Sequence, residues 1–335
     1  MRAAIYGLEG TEITRDERDF FRDADPTGFI LFRRNCEDRE QMRRLTDGLR
    51  DIVGRPEVPI LIDQEGGRVA RMKPPEWPSF PCGEAFDRLY QLAPSSAIEA
   101  ARVNARALAL MLNEVGVNVD CLPMLDVRQP GASDIVGDRA LGAEPMQVSA
   151  LGRAILDGLH SAGVLGVIKH IPGHGRALVD SHHELPVVNA SEEELAVDLE
   201  PFERLRNAPM GMTSHLLYKA WDPDRPASQS PVVIHDIIRQ RIGFDGFLMS
   251  DDIGMEALEG DHGQRAAACV AAGCDVALHC DGKMENMILV AKAVPALSQE
   301  AEARLSRAMA LTFTPQDGLD FAAAVEKRDT LLALA

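Results

Sequence analysis

Short apolar runs rich in Val, Ile, Leu and Phe recur along the chain, and longer stretches of helical period separate them. That alternation is the signature of repeated βα units. Eight runs read as strands, at residues 3–6, 28–32, 58–62, 117–121, 166–169, 210–214, 246–250 and 275–279. Between them the polar positions mark helix starts. Thr14 with Glu17 three residues on, and Ser191 with Glu194, both have the spacing of a capping box. Ala-rich stretches at 95–114 and 264–272 read as helix from propensity. Residues 73–81 carry Pro74, Pro75, Pro78 and Pro81 and must be irregular backbone.

Eight βα units predict an α/β fold, a single (β/α)8 TIM barrel in one catalytic domain over residues 1–335, with the active site at the carboxyl ends of the strands. Polar residues gather there: Asp63-Gln64-Glu65 after the third run, Lys169-His170 after the fifth, Ser214-His215 after the sixth and Asp251-Asp252 after the seventh. An open doubly wound sheet is the nearest competitor. It lacks support, because no G-x-G-x-x-G follows the first strand and there is no P-loop.

Composition narrows the partners. The 335 residues include 52 acidic and 35 basic side chains, a formal charge of −17, which opposes attraction to phosphate backbones, so nucleic acid is not expected as a partner. The 46% hydrophobic content suits a large core and excludes disorder. No stretch approaches the roughly 20 apolar residues of a membrane span, and Glu9 interrupts the start before a secretory apolar region forms, so a cytoplasmic protein without membrane attachment is expected. The six cysteines form no C-x-x-C pair and predict no disulfide framework. Cys274 and Cys280 read as buried packing.

Three segments could carry chemistry. The first runs from Lys169-His170-Ile171-Pro172-Gly173-His174-Gly175 to Asp180-Ser181-His182-His183-Glu184, with four histidines in fourteen residues. These suit a zinc site, or acid and base work with Asp180 orienting a loop histidine, or hydrogen bonds that brace a Gly/Pro turn. The second is Ser250-Asp251-Asp252, where successive side chains of a strand end alternate faces, so one carboxylate can reach the pocket while its neighbour meets the surrounding loops. The third is Asp63-Gln64-Glu65-Gly66-Gly67-Arg68-Val69-Ala70-Arg71, whose glycines allow a tight turn and whose Asp63 and Arg71 suit sugar hydroxyls, a small acid, or a merely ion-paired loop. Gly137-Asp138-Arg139 brings another cation towards the same rim.

Taken in order, Ile62-Asp63-Gln64-Glu65-Gly66-Gly67-Arg68-Val69, Gly137-Asp138-Arg139, Lys169 to Gly175, Asp180-Ser181-His182 and Ser250-Asp251-Asp252 resemble glycoside hydrolase family 3. The resemblance is greatest to its single-domain bacterial β-N-acetylglucosaminidases of peptidoglycan recycling and extends to at least Met255. It implies Asp251 as nucleophile, His182 as general acid/base and Asp180 as the partner of His182. It also implies that Asp63, Arg71, Arg139, Lys169 and His170 hold the nonreducing sugar, while His174 braces the turn. Ile171, Asp138 and Gly254 stand where the family more often has Phe, Glu and Ser, and none of these changes removes a reacting group.

The implied reaction is hydrolysis with retention through a glycosyl-enzyme. The implied substrate is a small molecule, N-acetylglucosamine joined β-1,4 to 1,6-anhydro-N-acetylmuramic acid, with or without a stem peptide. Arg71, Arg139 and Lys169 are expected to make the pocket locally positive for this anion. Neither cofactor nor metal is expected, and the chain is expected to act as a monomer. A metal-dependent amidohydrolase would need a histidine pair after the first strand, which Tyr6-Gly7-Leu8-Glu9-Gly10 lacks. A phosphorolytic β-N-acetylglucosaminidase and a non-catalytic sugar-binding barrel are the remaining alternatives.

Overall fold

The computed structural model describes residues 1–181, 184–313 and 320–335. Its strands are β1 (Arg2–Gly7), β2 (Pro26–Leu31), β3 (Ile60–Ile62), β4 (Val119–Asp120), β5 (Leu165–Ile171), β6 (Val187–Val188), β7 (Met210–Thr213), β8 (Leu217–Tyr218), β9 (Phe247–Asp252) and β10 (Val276–His279). Eight of them close a parallel barrel in the order β1-β2-β3-β4-β5-β7-β9-β10. These are the eight apolar runs read from the sequence. The remaining two, β6 and β8, form a short parallel pair in the loops that follow β5 and β7.

The strands alternate between two cores, as a period of two requires. Ile5, Leu61, Val119, Val167, Met212, Met249 and Leu278 fill the barrel, whereas Ala4, Tyr6, Ile60, Ile62, Ile168 and Leu248 face the surrounding helices. Helix Gln299–Met309 adds Ala301, Leu305 and Ala308 to the interior cluster and so closes the end of the barrel opposite the polar loops. Each such buried Val, Leu, Ile or Met side chain contributes about 1.5–3 kcal/mol by leaving water. Phe21 and Phe29 meet edge to face, with centroids 5.0 Å apart, between the first helix and β2.

Local signals set the helix starts as expected. Glu17 N–H donates to Thr14 Oγ1 (3.2 Å) and Thr14 N–H to Glu17 Oε2 (2.9 Å), which completes the box before helix Arg15–Ala24. Ser191 and Glu194 repeat it before helix Glu192–Arg204. The Ala-rich stretches become helices Pro94–Glu114 and His262–Ala272, and residues 73–81 form neither helix nor strand. The third and fourth strands are shorter than their apolar runs. Asn118 explains part of this, because its side-chain amide accepts from Ile60 N–H (2.7 Å) and donates to Val58 O (3.0 Å) ahead of β4. Cys274 and Cys280 are buried, and all six cysteines are free. Among the described residues no helix is long and apolar enough to cross a membrane.

Candidate active site

The polar cavity lies at the carboxyl ends of the strands, has a volume of about 250 Å³, and suits a ligand of one-sugar scale. Its first wall grows out of β3. Gln64 is buried and folds the following loop back on itself, accepting at Oε1 from the backbone N–H of Arg71 (2.8 Å) and Met72 (3.0 Å). Gly66 makes the turn possible. Its φ is +100°, and a Cβ there would sit 2.2 Å from Pro81 O. The result is to return Arg71 to within 3.0 Å of Asp63, with its guanidinium over the Phe32 ring at 5.1 Å.

A ladder of charges crosses the cavity from there. Arg71 pairs with Asp63, Asp63 with Lys169 (3.0 Å), Lys169 with Glu65 (2.6 Å), and Glu65 with Arg139 through two 2.8 Å bonds. Burial opposes charge on both acids. The flanking cations outweigh it, so Asp63 stays below the usual carboxylate range with Lys169 and Arg71, and Glu65 does so with Arg139 and Lys169. The same pairs raise Lys169 and Arg139 against their own desolvation. Asp63, Glu65, Lys169 and Arg139 are charged at neutral pH, and the fork geometry of Arg139 fixes its orientation.

The next wall is centred on Asp126, which follows β4. Asp126 Oδ1 accepts from the backbone N–H of His170 (3.2 Å) and His174 (2.6 Å), and Oδ2 lies 2.7 Å from His170 Nδ1. Asp126 is fully buried, yet His170 and the His174 N–H keep its carboxyl below its ordinary value. His174 is driven the other way. Burial, reinforced by His170, lowers it to about 4, so its imidazole is neutral near pH 7. Arg71 Nε and His174 Nδ1 are buried and have no hydrogen-bond partner among the described residues. Both residues line the cavity, where a bound ligand would satisfy such groups.

Opposite stands the end of β9. Asp251 is buried and accepts at Oδ1 from Asp252 N–H (2.8 Å). Burial would raise its pKa, but His170, His215 and that N–H hold it below the ordinary value, so the carboxylate is ionised. Asp252 differs. It accepts at Oδ1 from Gly254 N–H (3.0 Å) and Cys280 N–H (3.2 Å), and burial raises it. His215 braces this strand end, with Nε2 3.0 Å from Asp252 O and Nδ1 2.7 Å from Ser228 Oγ.

Asp63, Arg71, Arg139, Lys169, His170 and Asp251 therefore line one cavity. Asp180 is half-buried in the loop after β5, next to the cavity residue Ser181. His182 lies outside the described residues. His174 does more than brace a turn, since it lines the cavity with an unmatched ring nitrogen. The locally positive pocket is not found. Among the described lining residues Arg68, Arg71, Arg139 and Lys169 face Asp63, Glu65, Asp126, Asp251 and Asp252, because the loops that bring the cations also bring their counter-ions. Asp126 was missed in the sequence, where its only signal is a carboxylate inside the apolar stretch Leu125-Asp126-Val127 after the fourth strand.

Residues 2–311 match the model of the glycosyl hydrolase family 3 N terminal domain. The chain is 36% identical over 323 residues to a β-hexosaminidase of Aromatoleum aromaticum, covering 95% of this chain and 89% of that one. It is 38% identical over 288 residues to a β-hexosaminidase of Methylococcus capsulatus, covering 83% and 82%. The structure superposes with a TM-score of 0.89, at 29% identity, on NagZ from Neisseria gonorrhoeae in complex with N-trifluoroacetyl-D-glucosamine, covering 99% of this chain and 98% of that one. The barrel, its polar face and these matches agree, and the chain is a glycoside hydrolase that belongs to family 3.

Proposed function

We propose that the chain is a retaining exo-β-N-acetylglucosaminidase that removes terminal nonreducing β-1,4-linked N-acetylglucosamine from peptidoglycan fragments. The substrate is N-acetylglucosamine joined to 1,6-anhydro-N-acetylmuramic acid, with or without stem peptide, and the enzyme acts as a cytoplasmic monomer. One observation carries the chemistry: Asp251 is an ionised, buried carboxylate at the end of β9, facing the same cavity as the Asp63–Lys169–Glu65–Arg139 ladder. The names of the curated relatives and the glucosamine derivative bound by the Neisseria enzyme support the sugar.

In this reading Asp63, Arg71, Lys169 and His170 present a fixed set of donors and acceptors to the sugar hydroxyls, with Arg139 held by Glu65. Fixing them in advance lowers the entropic cost of orientation. Asp251 attacks the anomeric carbon while His182 protonates the departing oxygen, and a covalent glycosyl-enzyme forms through an oxocarbenium-like transition state. His182, now neutral, takes a proton from water, which attacks the same carbon and releases the sugar with its configuration retained. Asp180 orients His182 and stabilises its imidazolium form. The roles of His182 and Asp180 rest on the Asp-Ser-His motif.

The test is release of p-nitrophenol from its N-acetyl-β-glucosaminide in phosphate-free buffer, with the first-formed anomer followed by proton NMR. The β-anomer is expected first. Asp251→Ala should lower kcat at least about 1,000-fold, a loss of about 4 kcal/mol of transition-state stabilisation. Asp180→Asn should slow glycosylation and leave sugar binding intact. An α-anomer first, a requirement for phosphate, or an active Asp251→Ala variant would each overturn the reading, and unchanged turnover in Asp180→Asn would remove Asp180 from it.

A further inference from the structure

A second group of ligating side chains lies outside the sugar cavity, where no step of the reaction uses it. His279 is the last residue of β10 and points away from the barrel interior, in register with Tyr6 of β1. His262 is the first residue of helix His262–Ala272, and its ring meets that of His279 edge on, with centroids 5.2 Å apart. Asp281 follows β10 by two residues. One ligating atom from each of His262, His279 and Asp281 lies within 4.8 Å of the other two.

His279 is fully buried; its Nε2 lies 3.1 Å from Asp281 Oδ1, and its Nδ1 has no hydrogen-bond partner among the described residues. His262 Nδ1 is likewise buried and unmatched. Leaving such nitrogens without a partner is unfavourable, and one nitrogen of each imidazole lies within 4.8 Å of an Asp281 oxygen, the arrangement of a ligand set. Asp281 is held in place, because Lys283 N–H donates to its Oδ1 (2.7 Å) and Asn286 Nδ2 to its Oδ2 (2.6 Å). A carboxylate fixed from behind by hydrogen bonds is what a metal ligand requires.

We propose that His262, His279 and Asp281 form a divalent transition-metal site of the zinc class, with the cation held by two imidazoles and one carboxylate. This donor set suits Zn²⁺ or Co²⁺, whereas Ca²⁺ and Mg²⁺ select oxygen ligands. Three protein ligands leave one position for water, on the open side where His262 and Asp281 are partly exposed. The place in the fold gives the metal its role. Cys280, between two of the ligands, lines the sugar cavity and donates its N–H to Asp252. A cation there ties the start of helix His262–Ala272 to the end of β10 and stiffens the backbone beside Asp252.

The test uses untagged protein freed of metal by a chelator. Zn²⁺ affinity is measured by competition with a chromophoric chelator, Co²⁺ geometry by its visible absorption, and stability by thermal unfolding with and without Zn²⁺. Wild type is expected to bind one Zn²⁺ at this site, to show a tetrahedral Co²⁺ spectrum, and to melt higher with metal. His262→Ala should weaken that binding at least about 100-fold, as much as or more than loss of an outer-shell partner does, and abolish the shift in melting. Asp251→Asn, which alters the sugar cavity, should retain both. His279→Gln should match His262→Ala, and if its buried position prevents folding, the half-exposed His262→Ala still decides. Absence of binding by wild type, or equal affinity and equal melting shift in His262→Ala, would overturn the proposal.

Discussion

Replacing Glu65 by Gln removes one charge from the middle of the ladder and leaves the shape nearly unchanged. In the native protein Glu65 is 5% exposed at its side chain and lies between Arg139 at 11% and Lys169 at 2%. Lys169 keeps Asp63, but Arg139 exchanges a bidentate carboxylate for a neutral amide with one acceptor oxygen, and keeps the Ile135 carbonyl, so its buried charge loses its counter-ion. Breaking a buried ion pair by removing one partner costs about 3–5 kcal/mol, because the other charge stays desolvated. At about 2.1 cal/mol/K per residue, unfolding 335 residues carries an entropy near 0.7 kcal/mol/K, so the loss corresponds to a fall of about 4–7 °C in Tm. Urea unfolding gives the free energy directly, and scanning calorimetry gives Tm. Arg43→Gln, which breaks an exposed pair with Asp47, is the control and should cost under about 1 kcal/mol. The pH dependence adds a second check. Glu65 is depressed in the folded state, so its contribution is complete above the unfolded pKa of about 4.3 and is lost as pH falls below it towards the folded value. The gap between wild type and Glu65→Gln should therefore be constant from pH 5 upwards and narrow below about 4. A cost under about 1 kcal/mol, or a gap that widens in acid, would refute the account of the ladder as a coupled buried network.

Two further outcomes follow from the site. Gly66→Ala, at a φ of +100° and against Pro81 O, should destabilise by about 1–3 kcal/mol and raise KM more than it lowers kcat, because it moves the loop that returns Arg71; kinetics on the chromogenic substrate with unfolding curves check this. His174 has a folded pKa of about 4 against about 6.5 when unfolded, so the unfolded chain binds more protons between these values and stability falls as pH drops through that window. His174→Gln should flatten that part of the stability profile, and an unchanged slope between pH 6.5 and 4 would show that His174 is not kept neutral by burial.

Much of this protein was legible before any tertiary contact was known. Short apolar runs located all eight barrel strands, the Thr14/Glu17 and Ser191/Glu194 boxes located two helix starts, and the polar residues at run ends located the active face, because each signal is carried by neighbours within a few residues. The pairing of those residues was not legible. Glu65 meets Arg139 across 74 residues and Lys169 reaches Asp63 across 106, contacts that exist only once the barrel closes. Closure decided that the three cations would be matched by acids, so the expected positive pocket became a neutral-to-acidic one. It also decided the electrostatics, since neighbouring groups keep Asp251 ionised against its burial, while burial and His170 lower His174. Asp126 and the His262/His279/Asp281 group show the same limit. In the sequence they are an isolated carboxylate and three scattered side chains, and only the outward face of β10 and the start of the next-door helix bring the latter three to one point.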